Sequence, residues 1–180
     1  MRITGGEAAG IKVECPPGVI RPAMDRMRES LFSILGDVES LSFLDLFSGS
    51  GVVGLEALSR GARRVTLVER GREKRKTIQG NLERVLASLD FEPEVTLVTA
   101  PVERYLLRPR ESFDLVYIDP PFDYRYKDDL LRRLASSGAL ASEARIMLHY
   151  PREETIEPSP LQVRDERIFG RSHLLFLAPV

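Results

Sequence analysis

From residue 42 onward, short apolar segments alternate with longer segments whose apolar residues recur at helical spacing. This alternation is typical of a parallel sheet with helices on both faces, since each crossover between parallel strands needs a helix-length connection. The sequence therefore predicts an α/β fold, with strands at 42–47, 63–69, 94–99, 113–119 and 144–150 and helices at 51–62, 72–89, 102–107 and 127–138.

The two ends of the chain depart from this alternation. The segments 161–169 and 172–178 are separated only by Gly170 and Arg171, which leaves no room for a helix and predicts an antiparallel strand pair. At the other end, a β-hairpin is expected over 2–13, followed by an amphipathic helix that starts near Pro22 and carries its charged residues, Asp25, Arg26 and Arg28 among them, mostly off its apolar face. We divide the chain into a hairpin extension, 1–20, and a main domain, 21–180.

Composition excludes several classes of protein. Hydrophobic residues make up 43% of the chain and charged residues 29%, with a net charge of −1, which is ordinary for a globular domain and does not indicate a nucleic-acid binder by itself. Cys15 is the only cysteine, so no internal disulfide can form. No apolar run would span a bilayer, and the N-terminus lacks a signal-peptide core. We expect a cytoplasmic protein.

A glycine turn after the first sheet strand indicates a cofactor site. Gly49, Gly51 and Gly54 satisfy G-x-G-x-x-G between a strand and a helix, where backbone without Cβ atoms can approach a ligand. Glu69 ends the next strand, where an acid can accept hydrogen bonds from ribose hydroxyls. A dinucleotide and S-adenosylmethionine both fit this pattern. Asp45 favours the latter, because its charge would repel a pyrophosphate but attract an ammonium or sulfonium group.

A second site follows the strand 113–119, in the motif Asp119, Pro120, Pro121, Phe122. Two prolines fix the backbone, so the carboxylate and the ring are held in a constant relation. Such a platform can accept hydrogen bonds from an exocyclic amine while Phe122 stacks on the base that carries it. If the strands 42–47 and 113–119 are neighbours, this motif faces the cofactor turn across the crevice where strand order reverses.

Three stretches carry a family resemblance. "DLFSGSGVVGLEALSRGA", "VTLVE" and "YIDPPF" resemble the class I S-adenosylmethionine-dependent methyltransferases that modify amino groups, which have a Rossmann-like fold. "RITGGEAAGIKV" and "RPAMDRMRESLFSIL" narrow the resemblance to the RsmD-like family, the guanine-N2 methyltransferases of bacterial small-subunit (16S) ribosomal RNA. The resemblance covers nearly the whole chain and weakens over 150–170.

The resemblance implies a role for individual residues. Asp119, Pro120, Pro121 and Phe122 would take the guanine and form the catalytic platform. The cofactor, S-adenosylmethionine, would be bound by Asp45, Phe47, Gly49, Gly51, Glu69, Val102 and Asp119, and near its methionine end by Arg21, Asp25 and Arg26. RNA would be bound by Arg2 and Lys12 of the hairpin, by Arg28 and by Tyr124. Ala100 and Pro101 stand where the family often has a polar residue for adenine, so the Val102 backbone N–H or apolar packing is expected instead.

The sequence leaves alternatives open. The same platform occurs in N6-adenine methyltransferases and would suit a protein glutamine amide, and a non-catalytic cofactor-binding module is also conceivable. The retained platform argues against the last. We expect His149 and His173 to be structural histidines in their strands, no metal and no membrane contact, and a monomer that acts on rRNA or on the assembled 30S particle.

Overall fold

The computed structural model describes residues 1–17 and 25–180. Its strands are β1 (Ser42–Leu46), β2 (Arg64–Glu69), β3 (Glu94–Thr99), β4 (Phe113–Ile118), β5 (Leu140–Pro151), β6 (Gln162–Phe169) and β7 (Ser172–Ala178). Its helices are α1 (Asp25–Leu35), α2 (Val52–Ser59), α3 (Arg75–Leu86), α4 (Val102–Leu106) and α5 (Lys127–Ser136), and a 3-10 turn at Arg72–Lys74 precedes α3.

The strands form one sheet in the order β3-β2-β1-β4-β5-β7-β6. The first five strands run parallel, and β7 is antiparallel to both β5 and β6. The mostly parallel sheet and the C-terminal antiparallel pair predicted from the sequence are therefore confirmed. Strand order reverses between β1 and β4, which is the point where sheets of this kind bind ligands.

Helices cover both faces of this sheet, as expected. On one face the N-terminal hairpin, α1, α2 and α3 pack on alternate strand residues such as Phe43, Leu67 and Leu115. On the other face α4 and α5 pack on the intervening residues, including Leu44 and Val116. The central strand β1 is buried along its whole length, which explains why its sequence reads as a continuous apolar run interrupted only by Asp45.

The predicted hairpin at 2–13 is present and is anchored to α2. Arg2 and Lys12 form an antiparallel bridge, and the backbone N–H groups of Thr4 and Gly5 donate to the carboxylate of Glu56 at 2.9 Å each. Hairpin side chains such as Ile3 and Val13 belong to the same apolar core as α2. The boundary we placed at residue 20 lies outside the described residues.

Arg28 requires a correction. It is fully buried, and its guanidinium contacts Glu56 at 3.5 Å, Asp25 at 2.8 Å and the backbone carbonyl of Arg2. The expectation that Arg28 lies off the apolar face of α1 is wrong. The RNA contact predicted for Arg28 stays a prediction, and the burial of its guanidinium among these acceptors argues against it. An arginine in an amphipathic helix is normally exposed, and the acceptors around this guanidinium, the buried acid on α2 among them, account for its inward position.

No helix in residues 1–17 or 25–180 has the length and apolar character needed to cross a bilayer.

Candidate active site at the carboxyl ends of β1 and β4

The two sequence motifs lie side by side. β1 pairs directly with β4, from Phe43 opposite Leu115 to Leu46 opposite Ile118, and the Asp119 N–H donates to the Leu46 carbonyl at 3.3 Å. The glycine turn and the Asp119–Phe122 platform therefore leave the sheet at the same edge. A cavity of about 510 Å³ lies between them. Its walls are the turn after β1 with Asp45, the end of β2 with Glu69, the start of α4, residues 119–124, Tyr117 and His149.

The three glycines of the turn have different structural roles. Gly49 has φ of +58°, and a Cβ built on it would meet nothing closer than 3.9 Å, so its missing side chain leaves the cavity open. Gly51 also has a positive φ and forms the N-cap of α2. At Gly54 a Cβ would lie 2.3 Å from a methyl of Leu67, so this glycine lets α2 pack closely on β2. Of the three glycines, Gly49 lines the cavity, and the cofactor contact predicted for Gly51 stays a prediction.

Phe47 opens the turn in an unusual backbone conformation, with φ of +62°. A non-glycine residue rarely adopts this conformation, and where one does so next to a cavity it is a sign of functional strain. The ring of Phe47 packs edge-on against Tyr124 at 5.3 Å between centroids. The turn after β1 and the loop after β4 are thus in direct contact.

Asp45 is buried below the turn, and its Oδ2 accepts the Gly54 N–H at 3.0 Å. Burial raises the pKa of this carboxyl to about 8, and the neighbouring carboxylates of Asp119 and Glu69 add to the effect. In the protein alone Asp45 is therefore mostly protonated at neutral pH. From the sequence we expected a fixed negative charge at Asp45, whereas its raised pKa makes it an acid that a bound cation would ionise.

Glu69 connects β2 to the glycine turn. One oxygen accepts the Gly49 N–H at 3.0 Å, and the other accepts the Gly71 N–H at 2.8 Å and the Lys74 ammonium at 3.1 Å. These bonds use three of the roughly four acceptor positions of a carboxylate. Glu69 therefore orients the turn while keeping some capacity to accept a ribose hydroxyl.

The platform after β4 has the arrangement that its sequence indicated. Pro120 is buried and Pro121 exposed, and the Tyr124 N–H closes the turn on the Pro121 carbonyl at 2.8 Å. The Asp119 side chain is 21% exposed toward the cavity, and Phe122 is half-buried beside it. A carboxylate and a ring are therefore presented together, as an amine-bearing flat ligand would require.

Tyr124 and Val102 line the part of the cavity between the loop after β4 and the start of α4. The Tyr124 hydroxyl donates to Glu103 at 2.6 Å, so the loop after β4 is tied to α4. The cavity is lined here by Pro101, Val102 and Glu103. This is the segment in which the sequence offers no polar side chain for adenine at Ala100 and Pro101. The lining is consistent with the expectation of a backbone N–H or apolar packing at this end.

Other predicted site residues lie elsewhere. Asp25 and Arg26 are exposed at the start of α1 and are not among the residues that line the cavity, and Arg21 lies outside the described residues. Arg2 and Lys12 are exposed on the hairpin. The cofactor contacts predicted for Asp25 and Arg26 and the RNA contacts predicted for Arg2 and Lys12 stay predictions.

His149 lies at the site although the sequence did not predict this. We expected a structural histidine within its strand, yet its Nδ1 lies 2.8 Å from Asp119 Oδ1 and its ring faces Phe122. Strand periodicity gave no hint, because contact with Asp119 depends on β5 being the neighbour of β4. His173 matches the expectation better, since it contacts Glu166 and Tyr150 on β6 and β5, away from the residues that line the cavity.

Comparison with known proteins places this arrangement in a family. A family model described as Conserved hypothetical protein 95 matches residues 1–178. Ribosomal RNA small subunit methyltransferase D of Escherichia coli K12 is 33% identical over 176 residues, which cover 95% of this chain and 86% of that protein. The chain belongs to the RsmD family.

Solved structures agree with this assignment. The RsmD-family chain superposes on the protein yhhF of Escherichia coli with a TM-score of 0.85 and 32% identity, over 100% of this chain and 98% of that one. SMU.776, solved as a complex with SAH, gives a TM-score of 0.66 at 16% identity over 85% of this chain and 49% of that one, which is a likeness of fold alone. The Rossmann-like class I methyltransferase fold is confirmed.

Replacing Asp45 by Asn tests its raised pKa. The folded protein holds this proton up to about pH 8, whereas an unfolded aspartate loses it near pH 4, so wild-type stability falls as the pH rises through that window. Asp45→Asn keeps an acceptor for the Gly54 N–H and removes the titration. We expect the variant to melt at a higher temperature near neutral pH and to bind S-adenosylmethionine about ten-fold or more weakly.

Calorimetry in buffers of different ionisation enthalpy measures how many protons the protein releases when it binds S-adenosylmethionine. Below pH 8 the wild-type protein should release a proton on binding a cation, and affinity should rise toward pH 8. Protonation of the ligand itself is common to both proteins, so the variant serves as the control. An identical proton release and pH dependence in both would show that Asp45 does not titrate.

Gly49 and Gly54 form a matched pair for testing the turn. Gly49→Ala adds a methyl group on the cavity side, so we expect affinity for S-adenosylmethionine to fall by at least about ten-fold, with about 1–2 kcal/mol of strain from the positive φ. Gly54→Ala forces a methyl group against Leu67 and should destabilise the fold by about 1–3 kcal/mol. Denaturant unfolding and calorimetric binding separate the two; unchanged affinity in Gly49→Ala would mean that the ligand does not cross Gly49.

Proposed function

We propose that this protein transfers a methyl group from S-adenosylmethionine to the exocyclic N2 of a guanine in bacterial small-subunit rRNA. The observation that carries the proposal is the pairing of β1 with β4, which presents a glycine turn and an amine-accepting platform to one cavity. The RsmD-family membership and the printed name of the Escherichia coli relative support rRNA as the substrate class.

The residues present fit the proposed cofactor. Besides Asp45, which is mostly protonated at neutral pH, the cavity is lined by four acidic side chains, Glu69, Glu103, Asp119 and Asp123, and by two basic ones, Arg70 and Lys74. This balance favours a cationic ligand. The open space at Gly49 gives room for the methionine part of the cofactor, and Glu69 retains acceptor capacity for the ribose of the cofactor. When bound, S-adenosylmethionine supplies an electrophilic methyl group on a positively charged sulfur.

The platform residues prepare the amine. The lone pair of the guanine N2 is delocalised into the ring, so the amine is a weak nucleophile. Asp119 and the backbone carbonyls beside it accept its N–H groups and fix its direction, and Phe122 stacks on the base. Orientation of this kind lowers the barrier by holding the reacting atoms at close range. The proton lost from N2 on methylation leaves toward these acceptors.

RNA access requires the target base to leave its stack, because the platform lines a cavity of about 510 Å³ and an enzyme that modifies a base must draw it out of the helix to reach it. Exposed cations lie at the cavity rim and beyond it, at Arg70 and Arg125, and on the hairpin at Arg2 and Lys12. With a net charge of −1 the protein has little general attraction for RNA. We therefore propose the assembled small-subunit particle, in the cytoplasm, as the better substrate, with the enzyme acting as a monomer.

Asp119→Ala tests the division of roles between the two loops. Loss of the carboxylate should reduce methyl transfer by at least about a hundred-fold, because the amine is no longer oriented, while affinity for S-adenosylmethionine stays within about three-fold of wild type. Glu143→Ala, exposed at the opposite end of β5, is the control and should be fully active. Loss of cofactor binding in Asp119→Ala would contradict the proposed roles.

The substrate is tested in a strain of the source organism that lacks this gene. Mass mapping of its 16S rRNA should show one unmethylated guanine N2, and the wild-type or Glu143→Ala gene should restore the methyl group whereas Asp119→Ala should not. Unchanged methylation at every guanine would overturn the assignment. A missing methyl group on adenine N6 would redirect it to the related reaction.

A further inference from the structure

His149 makes a polar contact with Asp119, and the proposed binding of the cofactor and of the amine assigns no role to this contact. It belongs to β5, which pairs with β4 on one side and β7 on the other. Its Nδ1 is 2.8 Å from Asp119 Oδ1, and its side chain is only 11% exposed. Its Nε2 is buried and has no hydrogen-bond partner within residues 1–17 and 25–180. The ring thus makes one polar contact in this part of the chain, and that contact is with Asp119.

The contact with Asp119 assigns a role to one nitrogen of the ring. Carboxylate oxygens accept hydrogen bonds, so the 2.8 Å contact with Oδ1 points to Nδ1 as the donor. The other oxygen of Asp119 faces the Tyr117 hydroxyl at 3.4 Å, which is too long for a strong bond. Among the described residues, His149 therefore makes the short contact that can fix the rotation of this carboxylate.

Fixing that rotation matters for the amine. Asp119 is 21% exposed, so without a partner its carboxylate could turn about its terminal bond and present its lone pairs in several directions. With Oδ1 held by His149, the direction of Oδ2 is set as well. An acceptor held within a narrow angle orients a donor better than one that rotates, and small misplacements of this kind are costly in a reaction that depends on alignment.

We propose that His149 is a positioning residue for methyl transfer, which acts by donating its Nδ1–H to Asp119 and so aims the carboxylate at the substrate amine. The proposal rests on the proposed function and adds a residue to it. His149 also packs edge-on against Phe122, with 6.1 Å between ring centroids. The test must therefore separate the hydrogen bond from the ring contact.

Two substitutions make this separation. His149→Asn places an amide N–H near the position of Nδ1 and loses the ring, whereas His149→Phe keeps an aromatic ring and loses the donor. We expect kcat of His149→Asn to stay within about five-fold of wild type and kcat of His149→Phe to fall about ten- to a hundred-fold. In both variants KM for the RNA particle and Kd for S-adenosylmethionine should stay within about three-fold.

The relative activities decide between the two contacts. Equal activity of His149→Phe and wild type overturns the proposal, as does a His149→Asn variant that is as impaired as His149→Phe. Thermal melting identifies a variant that has merely unfolded, and in that case the comparison moves to His149→Gln and His149→Leu, one with and one without a donor. A fall in cofactor affinity without a change in kcat would also overturn it.

A second measurement does not depend on activity. The chain has only two histidines, so a long-range proton–nitrogen NMR spectrum resolves each ring, and His149→Asn assigns the signals. The proposal expects the Nδ1–H form of His149 in wild type and a shift toward the Nε2–H form in Asp119→Ala. The Nε2–H form in wild type overturns the proposal. A protein that shows the expected spectrum but methylates no RNA would instead overturn the proposed function.

Discussion

The parallel pairing of β1 with β4 is the constraint on which the active site depends. The chain leaves β1 through the glycine turn into α2 on one face of the sheet, and it leaves β4 through the platform toward α5 on the other face. Because the two connections diverge, a crevice opens above the strand ends, and the residues that begin each connection line it. Neither motif alone would bind and orient two reactants, and their adjacency follows from the order of the strands.

Buried charges then hold the surrounding elements in place. Glu56 on α2 is fully buried and accepts hydrogen bonds from the hairpin at Thr4 and Gly5 as well as contacts from Arg28 and Arg60. The hairpin, α1 and α2 are thereby joined through one carboxylate, and α2 begins at the glycine turn. A buried ion pair gives little net stability, but removing one partner is costly, so it favours a single arrangement of these elements. Asp45 represents the opposite case, because no basic side chain of the described residues forms an ion pair with this buried acid and burial raises its pKa to about 8.

The sequence predicted what depends on local pattern. Apolar segments predicted each strand of the described sheet, although β5 begins at Leu140 rather than at residue 144. The prolines after Asp119 predicted a rigid platform in its observed place. Features that depend on spatial neighbours were not predicted correctly. Arg28 points inward, where it contacts Glu56 on another helix, and His149 contacts Asp119 because β5 is the neighbour of β4. Gly54 matched a ligand-binding motif for a packing reason, its contact with Leu67. The pKa of Asp45 depends on burial, which periodicity indicates only in part.

The proposed reaction requires the methyl donor and the amine that receives the methyl group to face each other in one cavity. A crystal structure of the protein with S-adenosylhomocysteine would show whether they can. We expect the ribose beside Glu69, the homocysteine end over Gly49, and the sulfur directed at the Asp119 carboxylate across a gap that admits a flat base. The reacting atoms should then lie about 3–3.5 Å apart once the methyl group and the amine are in place. A ligand bound at another edge of the sheet, or a sulfur separated from Asp119 by packed side chains, would contradict the proposed reaction.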